Sequence, residues 1–463
     1  MTSGPATSGE KAPIALVVAN ATLMATVDEQ RRELAGGWVA IDDGRISAIG
    51  TGVPPAAHRT LDASGCLVTP GLVNVHHHMY QNLTRSYRPA TSEGFLGWLD
   101  ALYPLWERLD EEAIESSTWI ALAELARSGC TTTSDHLYLQ NTGCGSFFDA
   151  QVAAAAEVGL RFTACRGSID RSRRHGALPP DGVAQDTDTI LADCERVVDT
   201  YHDRGPLSFL RVALAPHSVY AASDELMRGT AELGERLDVR IHTHLAADRA
   251  DDAAAEASHG LTPFEWFDSL GWTTSRAWVA HCIFPSASEI GRLGRAGVGV
   301  AHCATACLLM GVGITPVTDL RAAGCPVGLG VDGSSNSDSG SAWLEARMAL
   351  LAGRFRAGPA AMSARDVLEL ATVGGAACLG RSGEVGELSL GAAGDLVVWP
   401  LDDLAHAGAV SDPIDAWLRC GPTTPRHVVV GGRAIVEGGE LLLAGLDDRL
   451  RRHDRIARNL QGC

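Results

Sequence analysis

The chain has 463 residues, 46% apolar and 20% charged, enough for two or three domains or for one large barrel with an added domain. A formal charge of −18 argues against a nucleic-acid backbone or an anionic membrane as partner. Lys11 is the only lysine, so the body of the chain offers none for a Schiff base, a phosphate-binding loop or a carbamylated bridge between two metals.

The opening residues, MTSGPATSGEKAPIALVVANATL, lack a basic leader followed by a compact apolar block and a cleavage site. No uninterrupted apolar run is long enough to span a bilayer, and a cytosolic enzyme is expected. The 12 cysteines are scattered without CxxC knuckles and read as reduced, mostly buried thiols. The closest pair, Cys303 and Cys307, reads as two core or pocket-wall thiols rather than a metal or disulfide site.

From Ile14 to about Asp62 short β-rich runs alternate with turns, and Asp42-Asp43-Gly44 suggests a hairpin. From about Leu67 short apolar runs alternate with longer helix-like segments. The runs are LVTPGLVNV, CTTTS, RFTACR, RVALAP, RIHTH, WVAH, GVGVAH and VGLGV. Eight buried parallel strands separated by helices predict a closed (β/α)8 barrel, an α/β fold. The amphipathic segment ARDVLELATVGGAACLG closes that region. GELSLGAAGDLVVWP and RHVVVGGRAIVEGGELL then return to the hairpin style, so the two chain ends are expected to build one small β-sandwich. The organisation expected is residues 1–66 and 386–463 in the sandwich and tail, and 67–385 in the barrel.

Polar residues close these runs. The first ends in His76-His77-His78, the second in Asp135-His136, the third in Arg166 and the fourth in His217. The fifth ends in His242-Thr243-His244, the sixth in His281, the seventh in His302 and the eighth in Asp332. The C-terminal ends of barrel strands converge on one mouth, where such enzymes place their chemistry. Side chains alternate along a strand, so His76 and His78 share a direction and His77 opposes them. By the same parity His244 sits nearest the mouth in its pair with His242. Three imidazoles and the Asp332 carboxylate suit zinc or ferrous iron and leave a position for water. With no lysine to bridge a second ion, one divalent ion is the simpler reading. Such an ion lowers the pKa of bound water toward about 7. Asp332 could take the proton, and His281 could orient the water or bond the developing oxyanion.

The motifs PGLVNVHHH, HTHLA, VAHC, GLGVDGS and GAAGDLVVWP resemble those of the amidohydrolase superfamily over nearly the whole chain. The resemblance implies His76, His78, His244 and Asp332 as ligands, zinc more than iron as the ion, and His281 as the catalytic histidine. HHHMYQNLTR, FLGWLDALYPLW, GCTTTSDHLYL, RGSIDRSRRHGALPP and APHSVYAAS resemble the branch of 8-oxoguanine deaminases and triazine hydrolases. That branch implies a planar, nitrogen-rich ring as substrate, with Gln81, Trp98, Trp106, His136, Tyr138, Arg166 and His217 as pocket candidates. For Trp98 and Trp106 packing is at least as good an explanation.

One departure is chemical. The family pattern after the fifth strand is HxxE, whose glutamate carries protons; this chain reads His244-Leu245-Ala246-Ala247-Asp248. A general acid contributes about two to four orders of magnitude. Asp248 or another carboxylate could substitute, His281 or His217 could supply the proton, the leaving group could need none, or hydrolysis could be lost. Three functions follow: deamination of an aminated N-heterocycle, ring opening of a cyclic amide or imine or dehalogenation, and metal-stabilised binding without catalysis. A small-molecule substrate is expected in each catalytic case, and a homodimer would suit a barrel of this kind.

Overall fold

The computed structural model describes residues 14–141 and 143–463. Lys11 and the first part of the opening segment read as lacking a leader, residues 1–13, lie outside them. Eight parallel strands close into a barrel: Leu72–Asn74, Cys130–Leu137, Arg161–Ser168, Leu210–Pro216, Arg240–Leu245, Ala277–His281, Gly299–His302 and Val327–Leu329. Helices separate them, and the core between strands and helices is aliphatic with buried tryptophans such as Trp266 and Trp272. Each of the eight runs read from the sequence contributes one barrel strand.

The first run is divided. Cys66–Pro70 pairs antiparallel with Leu396–Pro400 in a seven-stranded sheet, and only Leu72–Asn74 enters the barrel. Gly71 makes the crossing, where a Cβ would meet the Thr131 side chain at 2.0 Å. The seven-stranded sheet joins both chain regions: Cys66–Pro70, Leu23–Ala25 and Glu33–Leu34 from one, Leu396–Pro400, His427–Val430, Arg433–Glu437 and Glu440–Leu441 from the other. A four-stranded sheet of Ile14–Ala21, Gly37–Asp42, Arg45–Thr51 and Ala57–Asp62 faces it over a core of Leu16, Val18, Ile41, Val68, Leu396 and Val398. The hairpin read at Asp42-Asp43-Gly44 is present. Asp43 and Gly44 both take positive φ, 47° and 72°, as the favoured two-residue hairpin turn requires.

The barrel closes where the eighth strand meets the first, at Leu329 beside Asn74. Just beyond, Asp332 pairs with His77 and Gly333 with His78 in a second two-residue ladder. Helix Leu446–Gln461 leaves the sandwich and lies on the barrel: Gln461 donates to the Leu83 carbonyl at 2.7 Å, and Arg452 pairs with Glu112 at 2.9 Å. Among the described residues no helix is long and apolar enough to cross a membrane.

Candidate metal centre and active site

His76, at the first strand's mouth end, is fully buried. Its Nδ1 lies 2.8 Å from His242 Nε2, and His242 Nδ1 lies 2.8 Å from the Trp278 carbonyl. A carbonyl accepts only, so His242 carries its proton on Nδ1. His76 therefore donates from Nδ1 to His242, which leaves the Nε2 lone pair of His76 bare. That Nε2 is buried and has no hydrogen-bond partner among the described residues. His78 repeats the logic, Nδ1 donating to the His136 carbonyl at 2.8 Å, and so does His244, donating to the His217 carbonyl at 2.7 Å. Three lone pairs thus point into one space. His78 Nε2 and His244 Nε2 are 3.1 Å apart. Asp332 Oδ1 lies 3.3 Å from His76 Nε2 and 3.5 Å from His78 Nε2.

Four acceptors with no donor between them repel one another unless a cation separates them. The spacing fits one: atoms bound tetrahedrally at the ~2.0–2.1 Å typical of zinc stand about 3.3–3.4 Å apart. Burial pushes the Asp332 carboxyl up, but any proton taken by His76, His281 or His78 would favour its anion, and the carboxyl lies well below the usual range. Burial and neighbouring imidazoles keep His78 and His244 well below the ordinary histidine pKa, so both stay neutral as ligands must. His77 points away, as strand parity requires; its Nδ1 accepts from the His78 backbone N–H at 2.8 Å.

His281 Nε2 sits 3.8 Å from Asp332 Oδ2, a separation that water can bridge. Burial lowers the His281 pKa to about 4. Ala246, His281, Cys282 and Asp332 all adopt positive φ, between 49° and 74°, clustering left-handed backbone at the barrel mouth. Gly333 permits the tightest approach there; a Cβ would strike the Gln81 amide at 1.7 Å.

A family model for the amidohydrolase family matches residues 67–435, with this histidine cluster inside the matched span. The chain belongs to the amidohydrolase family. It is 42% identical to the 8-oxoguanine deaminase of Pseudomonas aeruginosa over 417 residues, 89% of this chain and 92% of that one. It is 34% identical to the hydroxydechloroatrazine ethylaminohydrolase of Pseudomonas sp. (strain ADP) over 442 residues, 92% and 91% of the two chains. The crystal structure of atrazine chlorohydrolase from Arthrobacter aurescens TC1 complexed with zinc superposes with a TM-score of 0.91 at 30% identity, covering 96% of this chain and 100% of that one. The protein is an enzyme of this family with a histidine cluster of metal-binding type.

Above the cluster the amidohydrolase has a cavity walled by Phe95, Trp98, Leu99, Tyr138 and Tyr220, with Gln81, His217 and Asn336 as polar members. Gln81 Oε1 accepts from the Ser335 hydroxyl at 2.5 Å, and its side chain also faces the Tyr80 and Tyr138 hydroxyls. His217 meets the Tyr138 ring edge at 4.2 Å, and burial lowers its pKa to about 3. Asn336 donates to Asp332 Oδ2 at 3.0 Å. Trp98 donates to the Ser335 carbonyl at 3.0 Å and lines the cavity.

Three of the sequence-derived pocket candidates lie elsewhere. His136 stacks behind His244, ring centroids 4.8 Å apart, and its Nε2 donates to the Ala215 carbonyl at 2.8 Å. Trp106 packs on Tyr80 and donates to Thr84 Oγ1 at 3.2 Å. Arg166 turns out of the barrel to Asp193 at 2.7 Å and Gln185 at 2.8 Å, following the strand alternation that carries it to the helix side. Cys303 and Cys307 are buried thiols, and Cys307 Sγ faces His281 Nδ1 at 3.8 Å.

Ala247 lines the cavity beside His244. Asp248, the nearest carboxylate in sequence, caps helix Arg249–His259 by accepting the Ala250 N–H at 2.7 Å. The cavity carboxylate that sequence reasoning missed is Asp251, on that helix's first turn. Ala247 precedes the helix cap, so no helical spacing in the sequence pointed to Asp251.

Proposed function

We propose that this amidohydrolase is a mononuclear metal-dependent deaminase that removes the exocyclic amino group of an aminated N-heterocycle of purine, pterin or triazine type. The observation that carries the reading is the convergence of three bare Nε2 lone pairs and Asp332 Oδ1 at tetrahedral spacing beneath an aromatic cavity. His76, His78, His244 and Asp332 are the ligands, and zinc is favoured over iron because a similar fold was crystallised with zinc. When bound, the ion supplies Lewis acidity that brings a water's pKa toward about 7. Asp332 takes the water's proton. His281, neutral and 3.8 Å from Asp332, orients the water and bonds the developing oxyanion. The planar ring stacks among Trp98, Tyr138 and the other cavity aromatics, and Gln81 and His217 read its polar edge. The same reading takes the enzyme to be cytosolic, with a small-molecule substrate and a homodimer as its assembly.

The test is a panel of aminopurines, pterins, pyrimidines, triazines and cyclic amides given to zinc-loaded protein, with ammonia and product mass as readouts. Exchange of amino for hydroxyl supports deamination. Ala247 favours one competing reading, ring opening or loss of a halide, which would show as added water without ammonia or as halide release. Full zinc occupancy without turnover of any member would leave a binding protein.

A further inference from the structure

We propose that Asp251 is the general acid of this site, taking the place of the glutamate that Ala247 lacks and delivering its proton to a ring nitrogen beside the carbon under attack. The inference rests on the deaminase reading above. The glutamate's position faces the cavity but holds a methyl group. The first turn of the helix that follows places a carboxyl on the same cavity, and Asp251 is only 3% exposed. Its Oδ2 accepts the Ala247 backbone N–H at 2.8 Å, which ties the carboxyl back over the missing side chain. Among the described residues its Oδ1 is buried without a hydrogen bond of ordinary geometry, and the Tyr220 side chain on the same cavity is the protein group that acts on this carboxyl. A bound ring in that cavity would share the carboxyl with Tyr220 and complete its hydrogen bonding.

The surroundings extend the range over which the group holds its proton. Burial raises the carboxyl to about 6; the Ala247 N–H and the Tyr220 side chain pull it down, and the charges of Asp248 and Asp252 on its own helix push it up. Across the cavity stand His217, His244, His281 and Asp332. A carboxylic acid with a pKa near working pH is suited to give and recover a proton.

The protons balance. As the water oxygen bonds the amine-bearing carbon, Asp332 takes one proton from the water and Asp251 gives its own to the ring nitrogen. The amino group then takes the proton held by Asp332 and leaves as ammonia as its C–N bond breaks. The new hydroxyl becomes a carbonyl and returns its proton to Asp251.

Asp251→Asn keeps a carbonyl oxygen for the Ala247 N–H and removes the proton. On a substrate the wild type deaminates, kcat should fall about 100- to 10,000-fold with KM and zinc content little changed. The fall in wild-type kcat/KM as pH rises through about 6 should disappear. Adding Ala247→Glu to the Asp251→Asn chain should restore much of the rate. A kcat within threefold of an active wild type overturns the proposal, and so does a variant crippled without rescue by Ala247→Glu. Should the variant fail to fold, a wild-type kcat/KM that stays flat from pH 6 to 8 overturns it as well. A wild type that deaminates nothing in the panel overturns the deaminase reading and this inference with it.

Discussion

His76 Nδ1 lies 2.8 Å from His242 Nε2, and this contact settles which nitrogen of His76 is bare. His242 stacks on Trp278 at 4.3 Å between ring centroids and is locked by the Trp278 carbonyl. Substituting an outer partner of this kind costs about 10- to 100-fold in metal affinity. His242→Gln should therefore weaken zinc binding by that factor, measured by competition with a chromophoric chelator. Unchanged affinity would remove His242 from the centre's support.

Chelation is the second prediction. An ion that binds only the folded chain stabilises it by about 4 kcal/mol when present at a thousandfold excess over its Kd. Stripping the protein should lower Tm and abolish turnover, and stoichiometric zinc should restore both. A Tm that ignores chelator and added zinc alike would count against a buried centre.

Arg166 separates stability from catalysis. Its side chain is fully buried against Asp193, which is 27% exposed. Arg166→Ala should destabilise the fold by roughly 1–3 kcal/mol through the lost charged hydrogen bonds to Asp193 and Gln185, while Asp193 keeps Arg196 at 2.7 Å. Zinc-loaded, folded variant should keep the wild-type KM. A KM raised tenfold at unchanged stability would return Arg166 to the substrate pocket.

Two buried groups set opposite pH trends. Burial raises Glu345 to about 7 from an ordinary 4.5. The native state then holds a proton that the unfolded chain has lost, so this group's contribution falls as pH rises from about 4.5 through 7. Burial lowers His302 to about 4 from 6.5, so its contribution falls as pH drops from about 6.5 toward 4. Glu345 accepts the Thr305 N–H at 3.2 Å, a bond glutamine preserves. Glu345→Gln should gain on the order of 2 kcal/mol over wild type between pH 4.5 and 8. Parallel denaturation curves at both pH values would refute the assignment.

The barrel was legible because each strand is a short apolar run ending in a polar residue, and strand parity separates His77 from His76 and His78. The split of the first run was not legible. Periodicity cannot show that Gly71 passes the chain from one sheet to another where Thr131 leaves no room for a Cβ. Parity also predicts direction only when the face of the strand is known, which is how Arg166 was assigned to the mouth although it points to the helices. Asp251 reaches the cavity because Ala246 takes a positive φ of 49° before the helix begins, a turn that residue types alone do not announce.

The seam that closes the barrel is narrow. Leu329 meets Asn74, and past them the ladder runs through Asp332 with His77 and Gly333 with His78. An ion held by His76, His78 and Asp332 would act as a clasp across that join, tying the start of the barrel to its end. Catalysis and closure would then draw on the same few residues. A change that retunes the water's acidity would loosen the hoop, and one that tightens the hoop would move the ligands.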